Sequence, residues 1–528
     1  MFKQFAVMMV LGGLIAAPLA LRDRPVQTPH NQQRIIIITP HGEGIRSEFT
    51  QGFHAWAARE LHQDVDIDWR TPGGTSEITR YLDDRFRASF AIAQPQFDRD
   101  ARKAFNQPKL AADATDQQRA ARAAFLSSDI GVEVDLLFGG GEFPYRGHAG
   151  KGYLIDCGVL QSDPEWFSGA TPIIPQMLSG ETVYDPQGRY FAACFALFGI
   201  AWSPDRLADL KIATPPSRWE DLGTATYHQQ LTLADPTKSG AVVTAMERIL
   251  QQRMAETLDA DGKPDLAKGW DDGFGLLKRI VANSRAITDS ASKPTRDTVR
   301  GDCVASMAID FQAKSEAEWA TAQSGGQQTS GQHRLEFTVP TGGTSVSGDP
   351  IALLRGAPHP QLAKAFIRFV LSPEGQRLWN YRVSESGGPQ HYALRRMSVR
   401  RDAYTPDDRS HMSDPDTDPF TIAQTFTYHP AWTAAYYPLI GPLVKATALD
   451  PRGELTLAWE AILKAGGPTR VPEAWAEFMW LPFPYADAAK VRDELAKGPE
   501  VAVPMQREWI ELATIHYRLA RAYAEAGR

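Results

Sequence analysis

A repeated alternation of apolar strands and amphipathic helices dominates the pattern of hydrophobic and polar positions. Residues 35–38 are four consecutive isoleucines, and such a run predicts a strand buried on both faces, as in a parallel sheet. Apolar residues then recur at helical spacing over residues 49–61, which predicts an amphipathic helix. Apolar and polar residues alternate over residues 65–69, and this alternation predicts a second strand.

The same order of strand and helix continues along most of the chain. Further strands are predicted at residues 134–138, 191–198, 231–235, 304–311 and 351–354, and further helices at residues 240–251, 361–371 and 507–526. Strands that alternate with helices indicate an α/β fold with mostly parallel sheets. The long apolar run at 191–198 is a candidate for a strand that crosses between two lobes. Residues 324–331 are predicted to form a flexible loop, and a helical extension is expected from about residue 404 onwards.

The amino terminus has the features of an export signal. Lys3 precedes an uncharged, mostly apolar run over residues 5–21, and Arg22 ends it. This run lies between the length of a usual signal core, about 7–15 residues, and that of a membrane span, about 18 residues or more. Residues 1–24 are therefore predicted to be a signal peptide or an amino-terminal anchor. Either one places the protein in the periplasm or another extracytoplasmic compartment.

Composition and charge exclude several classes of protein. The chain has 528 residues, of which 43% are hydrophobic and 23% charged, as in ordinary globular proteins of two or three domains. Its 56 lysines and arginines against 63 acidic residues give a net charge of -7. This balance lacks the basic surface of a nucleic-acid-binding protein, so no nucleic-acid partner is expected. A small anion can still be bound locally, because helix ends and one or two cations are enough.

Three cysteines, Cys157, Cys194 and Cys303, leave at least one thiol unpaired. Their spacing fits neither a zinc knuckle nor a thioredoxin-type site. Three buried thiols are expected, with a Cys157–Cys194 bridge as the alternative.

No sequence signature of an enzyme is present. The chain lacks a G-x-S-x-G elbow, an H-E-x-x-H motif and a Walker loop. No catalytic residue, metal ligand or cofactor is therefore assigned. The chain does contain glycine-rich turns after predicted strands, where open α/β sheets bind their ligands. The candidate ligand contacts in its first half are His41, Gly42, Gly74, Thr75 and Gly140, with plain turns as the alternative.

The sharpest turn of this kind joins a predicted strand to a predicted helix at residues 235–240. Free backbone N–H groups and the helix dipole favour an anion at such a helix start. Lys238, Ser239 and Gly240 are the candidate contacts there. The alternative is that Ser239 only caps the helix.

Asp310 lies at the end of a predicted return strand at residues 307–311. Strand ends of this kind border the ligand crevice in open α/β sheets, so Asp310 is predicted to face the cleft. A surface or helix-capping carboxylate is the alternative.

Five stretches within residues 34–402 have distinctive sequences: residues 134–141, 216–222, 235–240, 349–358 and 369–376. Together they resemble the extracellular solute-binding proteins of ABC importers, in the type 2 periplasmic-binding-protein branch often labelled ferric-iron-type.

The resemblance implies two α/β lobes that close over a small molecule, a membrane permease that receives the closed form, and a separate ATPase chain. A first lobe of residues 34–200 and 305–400 and a second lobe of residues 205–300 are expected, followed by a helical extension over residues 401–528. A monomer is expected.

The sequence departs from the iron-binding members of this family. These members use an adjacent pair of tyrosines in the second lobe, and no such pair lies between Leu207 and Cys303. The pair Tyr436-Tyr437 lies in the extension, outside the matched region.

The leading interpretation is therefore a non-enzymatic binding protein for a small anionic organic solute, phosphorylated or carboxylated. The alternatives are a ferric-iron-binding protein, a membrane-anchored ligand sensor, and a hydrolase or lyase on the same fold.

Overall fold

The computed structural model describes residues 33–323 and 334–528. The predicted export signal at residues 1–24 and the predicted loop at residues 324–331 lie outside the described residues. Within the described part, no helix combines the length and apolar character that crossing a membrane requires.

Thirteen strands are described in residues 33–323 and 334–528. They are β1 (Gln33–Ile38), β2 (Val65–Arg70), β3 (Leu136–Phe138), β4 (Leu154–Ile155), β5 (Met177–Leu178), β6 (Glu181–Thr182), β7 (Phe191–Ala196), β8 (Phe198–Trp202), β9 (Leu231–Ala234), β10 (Ser284–Thr288), β11 (Ala305–Ile309), β12 (Glu336–Thr338) and β13 (Ser347–Leu354).

The α-helices up to the last strand surround these sheets. They are α1 (Glu43–Glu60), α2 (Thr75–Ala93), α3 (Arg99–Lys103), α4 (Asp116–Leu126), α5 (Glu142–Lys151), α6 (Val159–Ser162), α7 (Pro204–Asp209), α8 (Trp219–Leu222), α9 (Gly240–Glu256), α10 (Leu266–Ala282), α11 (Lys293–Val299) and α12 (Asp310–Gln323).

The chain after β13 is helical. Its α-helices are α13 (Pro360–Leu371), α14 (Pro373–Asn380), α15 (Pro406–His411), α16 (Pro419–Ile422), α17 (Pro430–Thr433), α18 (Tyr437–Val444), α19 (Arg452–Lys464), α20 (Pro472–Met479), α21 (Ala488–Leu495) and α22 (Pro499–Glu525). A π-helical turn, Lys445–Leu449, joins α18 to the chain before α19.

Two sheets form the cores of two lobes, as predicted. The first sheet has the order β2-β1-β3-β13-β4, with β7 paired to β13, and the second has the order β10-β9-β11-β8-β12. β1 runs parallel to β2 and β3, and β9 runs parallel to β10 and β11. Strands β7, β8, β12 and β13 pair antiparallel with their neighbours. The predicted α/β fold with two lobes is confirmed.

The sequence predicts one crossing strand at residues 191–198, but the structure has two strands there, β7 and β8, on either side of Leu197. β7 belongs to the first sheet and β8, which follows it directly, belongs to the second. β11 pairs with β8 and β9 in the second sheet, whereas the sequence assigns residues 305–309 to the first lobe. The chain returns to the first sheet only after β12, because β12 also pairs with β8.

The two lobes have separate hydrophobic cores, and the C-terminal extension belongs to the second. Phe420 and Ile422, assigned by sequence to the extension, still pack against the first core. Farther along the chain, Leu439, Trp459 and Tyr517 are buried in the same cluster as the helices and strands of the second lobe. The chain therefore crosses between the lobes once more, between α16 and α18.

Cys157, Cys194 and Cys303 are all buried and free, which confirms the expectation of three buried thiols. Burial raises the pKa of each thiol above its usual value, to about 12 for Cys157 and about 11 for Cys303. The thiols are therefore neutral and behave as small apolar side chains.

Candidate ligand-binding site

Three predicted turns of the first lobe lie along one edge of its sheet. β2, β1 and β3 are adjacent and parallel, so their carboxyl ends meet at that edge. The helices that follow, α1, α2 and α5, start after Gly42, Gly74 and Gly141. The residues that the structure describes supply no side-chain hydrogen bond to the caps Gly42 and Gly74, whereas Gly141 N–H donates to Asp349 Oδ1 at 3.4 Å. The starts of α1 and α2 therefore leave backbone N–H groups unpaired at this edge.

The turn at residues 139–141 requires glycine. Gly139 and Gly140 have φ angles of 90° and 111°, which L-residues with a side chain rarely adopt. A Cβ atom at Gly139 would lie 2.4 Å from His41 Nε2, and one at Gly140 would lie 2.8 Å from Thr75 Oγ1. The structure thus brings His41, Thr75 and Gly140 together, while Gly42 and Gly74 stay exposed at the neighbouring helix starts.

Asp349 is the centre of the first-lobe site. Its carboxylate accepts hydrogen bonds from the backbone N–H of Gly140 at 2.6 Å, from Arg396 Nη1 at 2.8 Å and from His41 Nε2 at 3.0 Å. Burial acts to raise the pKa of Asp349, but Arg396 and His41 outweigh it and hold that pKa well below its usual range. The His41 Nε2 and Gly140 N–H donors are thus engaged inside the protein, whereas His41 Nδ1 has no partner among the described residues.

Acidic side chains also surround these helix starts. Glu43, Glu77 and Glu142 lie in the first turns of α1, α2 and α5, where they interact favourably with the helix dipoles. Burial raises the pKa of Glu142, although Arg146 opposes the shift. Glu142 Oε1 also accepts a hydrogen bond from the Tyr190 hydroxyl at 2.7 Å.

The second-lobe turn lies at the carboxyl end of β9. Asp235 shapes it, because its Oδ1 accepts hydrogen bonds from the backbone N–H and hydroxyl of Thr237, both at 2.7 Å. Ser239 is buried and its Oγ accepts from Val242 N–H at 3.3 Å, so it caps α9. Lys238 and Gly240 are exposed beside it. This turn therefore combines a capped helix start with one exposed cation.

Two aromatic residues connect the two edges of the cleft. The Tyr437 hydroxyl donates to the carbonyl of Gly240 at 3.0 Å and lies 3.1 Å from Thr244 Oγ1. Its ring stacks on Phe143 of the first lobe, with ring centroids 4.6 Å apart. The start of α5 and the start of α9 therefore face each other with Tyr437 between them.

Asp310 lies at the crossing between the lobes and begins α12. Its backbone N–H donates to the carbonyl of Leu197 at 3.0 Å. The residue is only 1% exposed, and neither carboxylate oxygen has a hydrogen-bond partner in residues 33–323 and 334–528. Burial raises its pKa, while Lys314 and Arg396 partly offset the shift. Asp310 is thus enclosed behind the Asp349 cluster.

A second buried ionic cluster joins both lobes to the extension. Arg248 of α9 donates to Glu247 Oε2 at 2.7 Å and also pairs with Glu181 of β6. The Tyr428 hydroxyl donates to Glu247 Oε1 at 2.8 Å, and its ring lies 4.1 Å from the Arg248 guanidinium carbon. Burial lowers the pKa of Arg248, but Glu181 and Glu247 outweigh it and keep the guanidinium charged. The charged and polar groups of this cluster are therefore hydrogen-bonded to one another. They hold together the segments that cross between the lobes.

Four residues of the cleft are not predicted by the sequence patterns. Asp349 falls in a stretch that carries the family resemblance, but nothing in that stretch marks it as the acceptor for the Gly140 amide and the His41 side chain. No local sequence pattern marks Arg396 as a cleft residue. Phe143 has the sequence context of an ordinary helix residue. The adjacent pair Tyr436-Tyr437 can be seen in the sequence. Because the pair lies in the extension, the sequence does not predict that Tyr437 reaches the cleft.

The described residues contain no group of three or more histidine, cysteine or acidic side chains that could hold a metal ion. Of the adjacent tyrosine pair, Tyr437 makes the hydrogen bonds given above, and Tyr436 packs edge-on against Trp270.

Two α/β lobes joined by crossing segments, with glycine-rich turns on both sides of a shared cleft, define the architecture of a two-lobed binding protein. Residues 151–387 match the family model described as bacterial extracellular solute-binding protein. This match confirms the resemblance seen in the sequence for residues 151–387.

Similar proteins cover parts of the chain. An uncharacterized protein of Haemophilus influenzae is 27% identical over 193 residues, which is 36% of this chain and 48% of that protein. The phosphoglycerate transport regulatory protein PgtC of Salmonella typhimurium is 29% identical over 183 residues, which is 34% of this chain and 38% of that protein. The matches therefore span less than half the length of these curated relatives.

Among solved structures, this chain is similar to the periplasmic binding protein AfuA from Actinobacillus pleuropneumoniae, which was solved with exogenous fructose-6-phosphate bound. The TM-score is 0.40 and the sequence identity is 18%. The similarity covers 65% of this chain and 81% of that one.

Proposed function

We propose that this protein is an extracytoplasmic solute-binding protein that captures a small anionic organic solute between its two lobes. The closed form then delivers the solute to the membrane permease of an ABC importer. The solute is of the phosphorylated or carboxylated class, and the protein acts as a monomer without catalysing a reaction. The name of the relative PgtC supports phosphoglycerate as the first compound to test.

The observation that carries this proposal is the convergence of three helix starts on one edge of the first sheet. The starts of α1 and α2 follow a glycine without a side-chain cap in the described structure. At the start of α5 the Gly141 N–H already donates to Asp349 Oδ1 at 3.4 Å, so the N–H groups of the next residues are the ones left for a solute. Free N–H groups at helix starts bind anions because they donate hydrogen bonds and lie at the positive end of the dipole. A fourth helix start, that of α9, faces them from the second lobe with Lys238 beside it.

In this proposal the two lobes share the solute. The first lobe contributes contacts from Gly42, Gly74 and Thr75, and from His41 through its Nδ1, which has no partner among the described residues. Gly140, whose N–H is held by Asp349, contributes by the close approach that its missing side chain allows. The second contributes Ser239 and Gly240, with Lys238 as a charge that attracts the anion. Asp310 contributes from the crossing, where its carboxyl group has no hydrogen-bond partner among the described residues and burial raises its pKa above the usual value.

Calorimetry with phosphoglycerate, with inorganic phosphate as a smaller probe, tests the proposal. Gly240→Ala and Ser239→Ala are the informative variants. A Cβ atom at Gly240 would meet only the Tyr437 hydroxyl, at 3.8 Å, so Gly240→Ala should fold normally and obstruct the solute. Ser239→Ala should weaken binding about tenfold to a hundredfold, because a hydrogen bond to a charged group contributes about 1.5–3 kcal/mol.

Ser203→Ala is the matched control. Ser203 caps α7, accepting a hydrogen bond from Arg206 N–H at 3.4 Å, at the end of β8 that points away from the cleft. Both serine variants should lose about 1 kcal/mol of stability as helix caps, but only Ser239→Ala should lose affinity. Equal affinity in the two variants would reduce the role of Ser239 to capping. Absence of phosphoglycerate binding by the unaltered protein would reject that solute.

Two observations favour a second candidate, a cationic solute such as a polyamine. Glu43, Glu77 and Glu142 ring the first-lobe helix starts, and the carboxylate of Asp310 is buried without a partner among the described residues. Spermidine in the same calorimetric series distinguishes the two classes. Binding of spermidine that Glu142→Gln weakens, with no binding of phosphoglycerate, would favour the cationic solute.

A further inference from the structure

The C-terminal extension reaches the cleft through Tyr437, the first residue of α18. Its hydroxyl donates to the Gly240 carbonyl in the first turn of α9. This is the turn at which the second lobe is proposed to contact the solute. Burial raises the pKa of Tyr437 to about 12, so the hydroxyl keeps its proton.

The extension is fixed to the second lobe. Leu439 and Leu443 of α18 are fully buried in the second core. Gly441 lets α18 approach the turn closely, since a Cβ atom there would lie 3.2 Å from the carbonyl oxygen of Pro236. Farther along, Lys278 Nζ of α10 donates to the carbonyl of Phe478 at 3.2 Å. Tyr437 must therefore move together with α9.

The partner of the Tyr437 ring belongs to the other lobe. Phe143 is the second residue of α5, directly after the glycine turn of the first lobe. The two rings stack at 4.6 Å with an angle of 28° between their planes. Because each ring is carried by a different lobe, opening the cleft must separate them.

We propose that the C-terminal extension takes part in the function of the binding cleft, and that the stack of Tyr437 on Phe143 stabilises the closed arrangement of the two lobes. This inference rests on the proposed function, in which the lobes enclose a solute. The stack increases the fraction of molecules in the closed form, and the apparent affinity is proportional to the fraction that is competent to bind. The extension thereby sets how tightly the solute is held.

The expected effect follows from the strength of aromatic pairs. A stacked pair shifts an equilibrium by about threefold to tenfold beyond the effect of its buried area. Tyr437→Ala and Phe143→Ala should each weaken phosphoglycerate binding by about that factor in calorimetry. The double variant should bind no more weakly than the weaker single variant, because both substitutions remove the same contact.

Small-angle X-ray scattering of the solute-free protein gives a measurement that does not depend on the solute. Both single variants and the double variant should have the same radius of gyration, larger than that of the unaltered protein. Tyr523→Ala is the control, since Tyr523 lies in the same extension but its ring packs beside Arg528, at 4.7 Å from the guanidinium carbon. This control should leave affinity and radius unchanged.

Tyr437→Phe separates the ring from the hydroxyl. It keeps the stack and loses the hydrogen bond to the Gly240 carbonyl, so its affinity should stay within about twofold of the unaltered protein. An equal loss in Tyr437→Phe and Tyr437→Ala would show that the hydroxyl acts instead of the stack.

Two further outcomes would overturn the inference. One is an unchanged radius of gyration in all the alanine variants, and the other is a double variant whose losses simply add. If the unaltered protein binds no phosphoglycerate, that solute is rejected while the scattering comparison still decides whether the stack closes the cleft.

Discussion

Asp349 shows how one side chain can organise several loops. It accepts hydrogen bonds from His41, Arg396 and the Gly140 amide, so three segments far apart in sequence meet at one carboxylate. Its charge is stable in this buried position because a guanidinium and an amide compensate it. The first-lobe side of the cleft depends on this residue for its shape.

Asp349→Asn tests this dependence at the residue scale. Removing one partner of a buried ion pair leaves the Arg396 charge uncompensated, and about 3 kcal/mol of unfolding free energy should be lost at pH 7. The pKa of Asp349 is lower in the folded than in the unfolded state. The stability that it contributes is therefore present above the usual aspartate pKa and is lost as the pH falls below it.

Urea unfolding at pH 7 and at pH 3 measures both effects. The difference between the unaltered protein and Asp349→Asn should shrink at pH 3. Asp84→Asn is the control, because Asp84 is exposed and pairs with Arg87 at 2.7 Å on the surface; its effect should stay within about 0.5 kcal/mol. A difference that is the same at both pH values would contradict the role given to the Asp349 charge.

At the scale of elements, glycine sets how closely α9 and α10 pack. A Cβ atom at Gly269 of α10 would lie 2.3 Å from Met254 Cα of α9, and backbone atoms cannot move aside as a flexible side chain can. This close approach aligns α9, whose start forms the second-lobe turn. The position of the turn thus depends on the contact between two helix backbones.

Gly269→Ala should therefore destabilise the protein by about 1–3 kcal/mol through overpacking. Gly453→Ala is the matched control, since Gly453 lies in α19 and a Cβ atom there would meet no described atom within 4 Å. That control should gain about 0.5–1 kcal/mol, because alanine is the better helix former. Thermal unfolding of both variants gives the comparison, and a stabilised Gly269→Ala variant would show that the helices are free to separate.

The C-terminal extension completes the second lobe. Trp459 of α19 is 2% exposed, and its Nε1 donates to Asn283 Oδ1 of the second lobe at 2.9 Å. Asn283 in turn donates to the carbonyls of Leu222 and Thr224. The second lobe and the extension are therefore expected to unfold as one cooperative unit.

Trp459→Ala tests this coupling through hydrogen exchange. The substitution should cost about 3–5 kcal/mol and reduce the protection of the β9 amides, although β9 lies outside the extension. The β1 amides of the first lobe should keep their protection. Trp319→Ala is the control, since Trp319 is 54% exposed. In Trp459→Ala, a loss of amide protection confined to the extension would contradict a shared cooperative unit.

The sequence determined the order and type of the main elements. The isoleucine run, the helical spacing that follows it and the apolar run before Leu197 all describe local burial, and β1, α1 and the pair β7 and β8 appear where these patterns lie. The glycine turns could also be predicted from the sequence, because backbone positions with positive φ angles, such as Gly139 and Gly140, favour glycine. Patterns of this kind depend on neighbours in the chain, so a single sequence carries them.

The set of distant residues that share the cleft follows from the packing of the folded chain and not from local sequence. The assignment of β11 to the second sheet depends on its pairing with β8 and β9, which no local pattern specifies. Asp349 reaches Gly140 across 209 residues of sequence, and Tyr437 reaches Gly240 across 197. Such contacts arise from the packing of two lobes and an extension, and their energy depends on burial that local sequence does not encode.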